Sequence, residues 1–508
     1  ISWLVPEDKS LPVLACLRIS IVTNYWKKYK IPGPKPHLLF GNIIQFIALK
    51  KSISECVKQL YDEYKEEPVF GIFDRTTPML VVNDLDLIKD VLIKDFSLFT
   101  DRGLSFYPKV EPLTEHLFVL EPERWRPLRA NLSPVFTSGK LKEMFLLMLD
   151  CSMYLEKHLA KIADKEEPVD CRELSAKFTT DVIGNCVFGI DTSALSNEDS
   201  EFRRIGRSVL APSTRATIRN FVREILPFLY KTIGHLLQPP GADKFFTKMV
   251  VDTINYRKEN NIYRPDFINI LMELKNHPEK LQNVGKFLKQ NLSCFSELTD
   301  TLLTAQAFVF FVAGFETSST TIANTFYELA QNHGIQDKLR EEIRQSDTKY
   351  GKILTYDRVK EMKYLDKVFK ETLRKYPIFP VLMRQALKNY TFRETKITIP
   401  KGTKMWIPVY GIQRDPNVFS DPEKFDPERF SEEAVAARHS MSYLPFGDGP
   451  RNCIGARFAY FQSKVGIITV LRNYKVDVCE KTIIPYKPDP RSFLLSLKGG
   501  VYLKITRA

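Results

Sequence analysis

Residues 445–457 run Pro445-Phe446-Gly447-Asp448-Gly449-Pro450-Arg451-Asn452-Cys453-Ile454-Gly455-Ala456-Arg457, and how this stretch is read decides the rest. Gly447 and Gly449 permit a tight loop with backbone angles closed to other residues. An apolar-periodic run continues to about Val470, so Cys453 stands at or just before a helix N-terminus. Free N–H groups and the helix dipole favour a thiolate there. Gly455 lets the backbone come close to something flat. A zinc site needs three further Cys or His ligands, and the nearest histidine is His439. No CxxC redox pair is present. A buried structural cysteine leaves the glycines, Phe446 and Arg451 unexplained.

The surrounding composition narrows the class. The chain has 508 residues, 44% apolar and 27% charged, which excludes disorder and fibrous repeats. Its length permits a large core. The net charge of +13 admits an acidic protein, an anionic membrane or nucleic acid, and selects none of them. The eight cysteines (Cys16, Cys56, Cys151, Cys171, Cys186, Cys294, Cys453 and Cys479) are scattered. That pattern argues against a disulfide-stapled protein or a zinc ribbon and fits a reducing compartment.

No 18-residue apolar run exists, which excludes a polytopic membrane protein. Leu11–Val22, broken by Pro12 and Arg18, is the best candidate for an anchor. Lys27, Lys28 and Lys30 follow as a cytosolic-type flank, then the stiff Pro32-Gly33-Pro34-Lys35-Pro36. We therefore expect an anchor remnant over 1–30, a proline-rich hinge over 31–36 and a catalytic domain over 37–508. Val69–Phe73 and Met79–Val82 predict a hairpin around Asp74–Pro78, and Leu85–Phe96 predicts a helix. From about 140 to 385 the apolar spacing is mostly helical, with breaks at 197–200, 238–241 and 276–278. Short strands are expected at Ile397–Pro400 and Met405–Pro408, joined by Lys401-Gly402. The fold class is mainly α with a minor β-sheet region, as one large helical domain.

Three further patterns are weak one by one. Glu371 and Arg374 lie at i and i+3 on one helix face, followed by Tyr376-Pro377. Ala313-Gly314-Phe315-Glu316-Thr317-Ser318 sits in a long helix beginning near Leu298. There Val309, Val312, Ala313, Glu316 and Thr317 share a small, apolar face, and the Thr317 hydroxyl can return to the Ala313 carbonyl. Trp125 and Arg129 form a WxxxR pair, with Pro127 suited to a first helical turn.

Taken with the 445–457 loop, these patterns resemble the cytochrome P-450 family, the haem-thiolate monooxygenases, in the expected order over roughly residues 30 to 505. Phe136-Thr137-Ser138-Gly139-Lys140-Leu141-Lys142, Arg264-Pro265-Asp266-Phe267 and Tyr443-Leu444-Pro445-Phe446-Gly447 are most similar to insect microsomal enzymes of family six. The resemblance implies haem b with Cys453 as axial iron ligand, a thiolate that favours O–O cleavage. It places Phe446 beside the sulfur, and Gly447, Gly455 and Ala313 close to the cofactor. Trp125, Arg129, Arg384, Arg451 and Arg102 would serve the propionates. Glu371, Arg374 and Arg429 would form a structural Glu–Arg–Arg network. Thr317 would hold dioxygen and its water, with Glu316 on the proton route.

The implied activity inserts one atom of O2 into a lipophilic substrate such as a xenobiotic, plant toxin or insecticide. Electrons would come from NADPH through a flavoprotein reductase, since the chain carries no convincing GxGxxG. Cytochrome b5 is a second possible donor. An oxygen-independent isomerase or dehydratase, a non-enzymatic haem carrier or sensor, and a hormone or pheromone hydroxylase are the rivals; Glu316-Thr317 argues against the first two. The expected location is the cytosolic face of the endoplasmic reticulum, with the membrane as a partner and no nucleic acid. The substrate pocket is expected from Leu104–Leu117, Phe221–Leu229, Val309, Val312, Ala313, Phe379, Val381, Leu382, Phe493, Leu494 and Leu495. Arg124, Lys140, Lys142, Arg457 and Lys464 are expected to form a docking face for the reductase.

Overall fold

β-branched and aromatic residues alternate on either side of Arg75-Thr76, and in the computed structural model they pair as β1 (Val69–Asp74) and β2 (Thr77–Val82). The two strands are antiparallel from Val69 opposite Val82 to Asp74 opposite Thr77. The structure describes residues 24–508, apart from 106, 164, 166, 198–199, 211–213, 239–240, 265 and 277–298. Two later strands, β3 (Leu382–Gln385) and β4 (Lys404–Ile407), complete a four-stranded sheet in the order β1-β2-β4-β3. β4 runs parallel to β2 and antiparallel to β3. The strand at Thr398–Ile399 pairs with Tyr390–Thr391 in a separate sheet, so the two strands flanking Lys401-Gly402 do not pair with each other. The expected helix at Leu85–Phe96 forms as three consecutive pieces, Leu85–Lys89, a π-helical turn at Asp90–Lys94 and a 3-10 turn at Phe96–Leu98.

The remainder is helical. α1 (Pro122–Leu132) has Pro122 in its first turn, while Pro127 lies inside the helix rather than at its start. α2 (Ser138–Ala163) and α3 (Cys171–Ile183) lead to the central helix α4 (Asp300–Gln331), capped by Thr299, whose Oγ1 accepts from the Leu302 N–H at 3.2 Å. By length and composition α4 could cross a membrane, but it is packed between α3 and the last long helix. α5 (Lys363–Lys375) and α6 (Ala456–Asn473) complete the set that frames the site. Phe311 and Phe315 on α4 are fully buried with ring centroids 4.9 Å apart, each burial contributing about 1.5–3 kcal/mol. Gly314 lies between them, where a Cβ would fall 2.3 Å from Ile183 Cδ1. A side chain there would force the Ile183 side chain of α3 to move aside.

The expected anchor segment Leu11–Val22 lies outside the described residues. The boundary after residue 30 is corrected. Trp26 is buried and donates its indole N–H to the Ile72 carbonyl at 3.0 Å, and Ile31 is buried in the same core. The proline-rich 31–36 segment is docked as well, since the Gly71 N–H donates to the Pro32 carbonyl at 2.8 Å. The folded body therefore includes Trp26 and the supposed hinge.

Candidate functional site

The loop before α6 owes its shape to its glycines. Gly447 and Gly449 have φ of 69° and 73°, and a Cβ on Gly449 would lie 1.9 Å from the Leu92 carbonyl oxygen. The Cys453 N–H donates to the Phe446 carbonyl at 2.9 Å, and Asn452 N–H donates to Gly449 at 3.1 Å. Cys453 is held two residues before the Gly455 cap of α6, with its side chain accessible. Although accessible, the sulfur lies deep among protein groups, and that loss of hydration pushes its thiol up from the usual value, against the downward pull of the Gly455 N–H, Arg129 and Arg102. A metal ion bound at this sulfur would draw off the proton.

Four guanidiniums surround the loop. Arg451 is buried with its Nη1 donating to the Thr100 carbonyl, its Nη2 to Leu120 at 2.6 Å and its guanidinium 4.7 Å from the Trp125 ring centroid. Arg102 donates to the carbonyls of Phe118 at 2.7 Å and Arg451 at 3.1 Å. Arg129 grips Asn452 twice, through its carbonyl at 2.8 Å and its Oδ1 at 2.9 Å. Arg384, on β3, donates to the Met383 carbonyl at 2.8 Å. Burial, followed by repulsion from Arg451, brings Arg384 down to about 9, and burial brings Arg451 down to about 10.

Among the described residues no carboxylate lies within ion-pair distance of these four side chains, and the Nε atoms of Arg384 and Arg451 are buried without a partner. Uncompensated buried cations are costly. Haem fits this arrangement, because its two propionates would supply the missing carboxylates while Cys453 supplies the iron ligand. No cluster of three His, Cys, Asp or Glu side chains competes for a metal among the described residues.

α4 presents the opposite wall. Ala313 is exposed among buried and half-buried neighbours on the helix, and Thr317 Oγ1 donates to its carbonyl at 2.7 Å, as the sequence predicted. Gln462 on α6 donates to the Gly314 carbonyl at 3.0 Å, tying the cysteine-bearing helix to the Ala313–Thr317 groove. Glu316 is ion-paired with Arg172 of α3, which also donates to Ser319 Oγ at 2.9 Å. It thus stands on the α3 side of α4, held by a cation that local sequence did not reveal.

Glu371 and Arg374 are both 0% exposed and bind through two contacts, Nε to Oε2 at 2.7 Å and Nη2 to Oε1 at 2.9 Å. The Asp426 N–H donates to Glu371 at 2.9 Å, and Arg429 Nε stands 3.4 Å away. Gln413 passes this order to the cysteine loop. Its Nε2 donates to the Leu373 and Arg374 carbonyls, and its Oε1 accepts from the Leu444 N–H at 2.9 Å.

The expected pocket residues separate into two groups. Phe379 stacks at 6.0 Å on Phe118 and meets Phe493 at 6.4 Å. Val309, Val312, Leu382 and Leu494 are half-buried, and Leu382 packs near Gly447. Val381 is corrected to core: it is 1% exposed and clusters with Val81 and Trp406, because successive side chains of an extended segment face opposite ways. Leu495 is buried too, while Phe221, Leu226 and Phe228 point outward, Phe228 at 86% exposure. Phe118 lies one residue beyond the expected loop, and the run Leu117-Phe118-Val119-Leu120 was the available signal. Lys464 is also corrected. It is 0% exposed, bonded to Asp366 at 3.0 Å and brought down to about 8 by burial, so it cannot belong to a docking face. Arg124, Lys140 and Lys142 are paired with Glu115, Glu143 and Asp357, and Arg457 is exposed.

Comparison with known proteins agrees with this geometry. The family model described as Cytochrome P450 matches residues 31–504. Cytochrome P450 6A1 of Musca domestica is 41% identical over 505 residues, covering 98% of this chain and 97% of that protein. Probable cytochrome P450 6a14 of Drosophila melanogaster is 40% identical over 492 residues, 96% of each chain. Cytochrome P450 6a2 of the same fly is 39% identical over 490 residues, 95% of each.

Proposed function

The chain belongs to the cytochrome P450 family, with haem as its cofactor and Cys453 as the axial thiolate, and on that premise we propose which substrates, electron donor and residues serve its monooxygenase chemistry. The substrate is a lipophilic organic molecule of the xenobiotic, plant-toxin or insecticide type. Electrons come from NADPH through a flavoprotein reductase, with cytochrome b5 as an accessory donor. The protein works at the cytosolic face of the endoplasmic reticulum, held by an anchor at Leu11–Val22.

The observation that carries this reading is the exposed Ala313 next to the Thr317 hydroxyl, on a helix bonded through Gln462 to the helix of Cys453. When bound, haem supplies the activation of dioxygen, to which a thiolate ligand contributes electron density. The protein does the remaining work. Arg102, Arg129, Arg384 and Arg451, with Trp125, orient the cofactor by its carboxylates. Thr317 can exchange its bond to the Ala313 carbonyl for one to an oxygen species or a water in the groove. Glu316, positioned by Arg172, passes protons toward Thr317. Phe118, Phe379 and Phe493 exclude water and accept apolar groups.

The test is a spectrum followed by turnover. The reduced carbon monoxide complex should show the thiolate-type band, and Cys453→Ala should abolish it. NADPH consumption with reductase and an apolar substrate should yield an oxygenated product. A normal spectrum with no oxygenated product across a lipophilic panel would sink the proposed activity.

A further inference from the structure

Gln306 lies on α4 in the stripe of Val309, Ala313 and Thr317, at spacings of i, i+3, i+7 and i+11. It is 1% exposed, and its side chain makes three hydrogen bonds to backbone groups. Its Oε1 accepts the Leu117 N–H at 2.9 Å. Its Nε2 donates to the Glu115 carbonyl at 2.9 Å and to Leu302 on its own helix at 3.1 Å. An apolar residue of similar size could fill the same space. What it could not do is pair a donor and an acceptor on a segment 189 to 191 residues away.

The clamped segment leads directly to the pocket. Phe118, one residue past Leu117, stacks on Phe379, and the Arg102 guanidinium lies 4.2 Å from its ring centroid. Arg102 also donates to the Phe118 carbonyl and to the Arg451 carbonyl in the cysteine loop. Glu115–Phe118 is thus fastened at one end to the helix of the oxygen groove and at the other to the loop of the iron ligand. His116, between the two fastenings, is buried with no partner for its Nδ1 and so offers no competing anchor at that atom.

We propose that Gln306 is a positioning residue for substrate selection: by holding Glu115 and Leu117 on α4 it fixes the Phe118 ring as a wall of the apolar site. It therefore sets the size of ligand admitted without touching it. This rests on the reading that the site takes lipophilic molecules, and it adds the residue that determines their fit.

The experiment uses the full haem-loaded chain and needs no reductase. Amide hydrogen exchange is read at Leu117, and spectral titration is carried out with imidazole as a small probe and 4-phenylimidazole as a bulky one. Gln306→Met should speed exchange at Leu117 roughly 10- to 100-fold, the loss expected when a buried pair is broken. It should change the ratio of the two affinities at least about fivefold, with imidazole alone within about twofold. Phe118→Leu leaves the Gln306 bonds in place, so it should shift the same ratio while Leu117 exchange stays native. Unchanged Leu117 exchange in Gln306→Met overturns the proposal, as does an equal change for both probes. If Gln306→Met fails to retain haem, Phe118→Leu decides: a native affinity ratio there overturns it. Absence of oxygenated product from the unaltered enzyme would instead strike the activity and leave these readouts standing.

Discussion

The molecule buries two groups of arginines that differ in what balances them. Around Glu371, the guanidiniums of Arg374 and Arg429 share one carboxylate, and carbonyls of Gln413 and Lys424 take further Arg374 bonds. Around Cys453, the guanidiniums of Arg102, Arg384 and Arg451 reach only carbonyls, and burial first, then repulsion from Arg451, lowers the proton affinity of Arg102 and Arg384. The first group is complete within the chain and behaves as structure. The second needs two carboxylates that the chain does not supply, which is the signature of a ligand site.

The largest test breaks the complete group. Glu371→Ala leaves two buried cations unpaired and should cost about 3–5 kcal/mol, enough to prevent a folded haem-loaded protein from accumulating. Native thermal unfolding and haem content would remove the network from the folding role. A sharper contrast comes from matched variants. Arg384→Met should raise the stability of the cofactor-free protein by about 1–3 kcal/mol and weaken haem retention about tenfold, whereas Arg374→Met should lower stability. Denaturant unfolding and haem transfer measure both, and the same sign for the two variants would erase the distinction.

A pH series probes the cationic side from its edge. Burial, with Arg102 nearby, brings His116 down to about 4 from its usual 6.5. Between those values the unfolded chain binds the proton and the folded one does not. Stability should therefore fall as pH drops from about 6.5 to about 4, by up to about 3 kcal/mol. His116→Gln should flatten that part of the curve, and an unchanged slope would assign it elsewhere. The smallest effect on folding belongs to Thr317→Ala, within about 0.5 kcal/mol and with normal haem content. Its consequence should be chemical, a several-fold rise in hydrogen peroxide formed per NADPH consumed. Native coupling would take Thr317 out of the mechanism.

Much of this site is legible residue by residue, because its signals are local. Glu371 and Arg374 meet because three residues make nearly one turn, and Thr317 meets the Ala313 carbonyl because four do. The Cys453 loop is legible from its glycines. The failures share a different origin. Val381 reads as a pocket residue beside Leu382, yet an extended chain sends neighbours to opposite sides, and nothing local says which side is core. Lys464 reads as a surface charge until Asp366, 98 residues away, is packed against it. Pro127 reads as a helix start, but the helix begins at Pro122.

The sequence alone therefore determines the ion-paired Glu371–Arg374 turn, the mainly helical class and the adjacent acid and threonine of the long helix, since each depends on spacings within one element, while its resemblance to the family names Cys453 as the iron ligand. Only the tertiary structure decides that Arg172 holds Glu316, that Gln306 holds Leu117, and that the +13 of the chain includes guanidiniums with no carboxylate of their own beside Cys453. The reason is physical. Charge balance and pocket shape are properties of groups brought together from across the chain, and no window along it contains both partners.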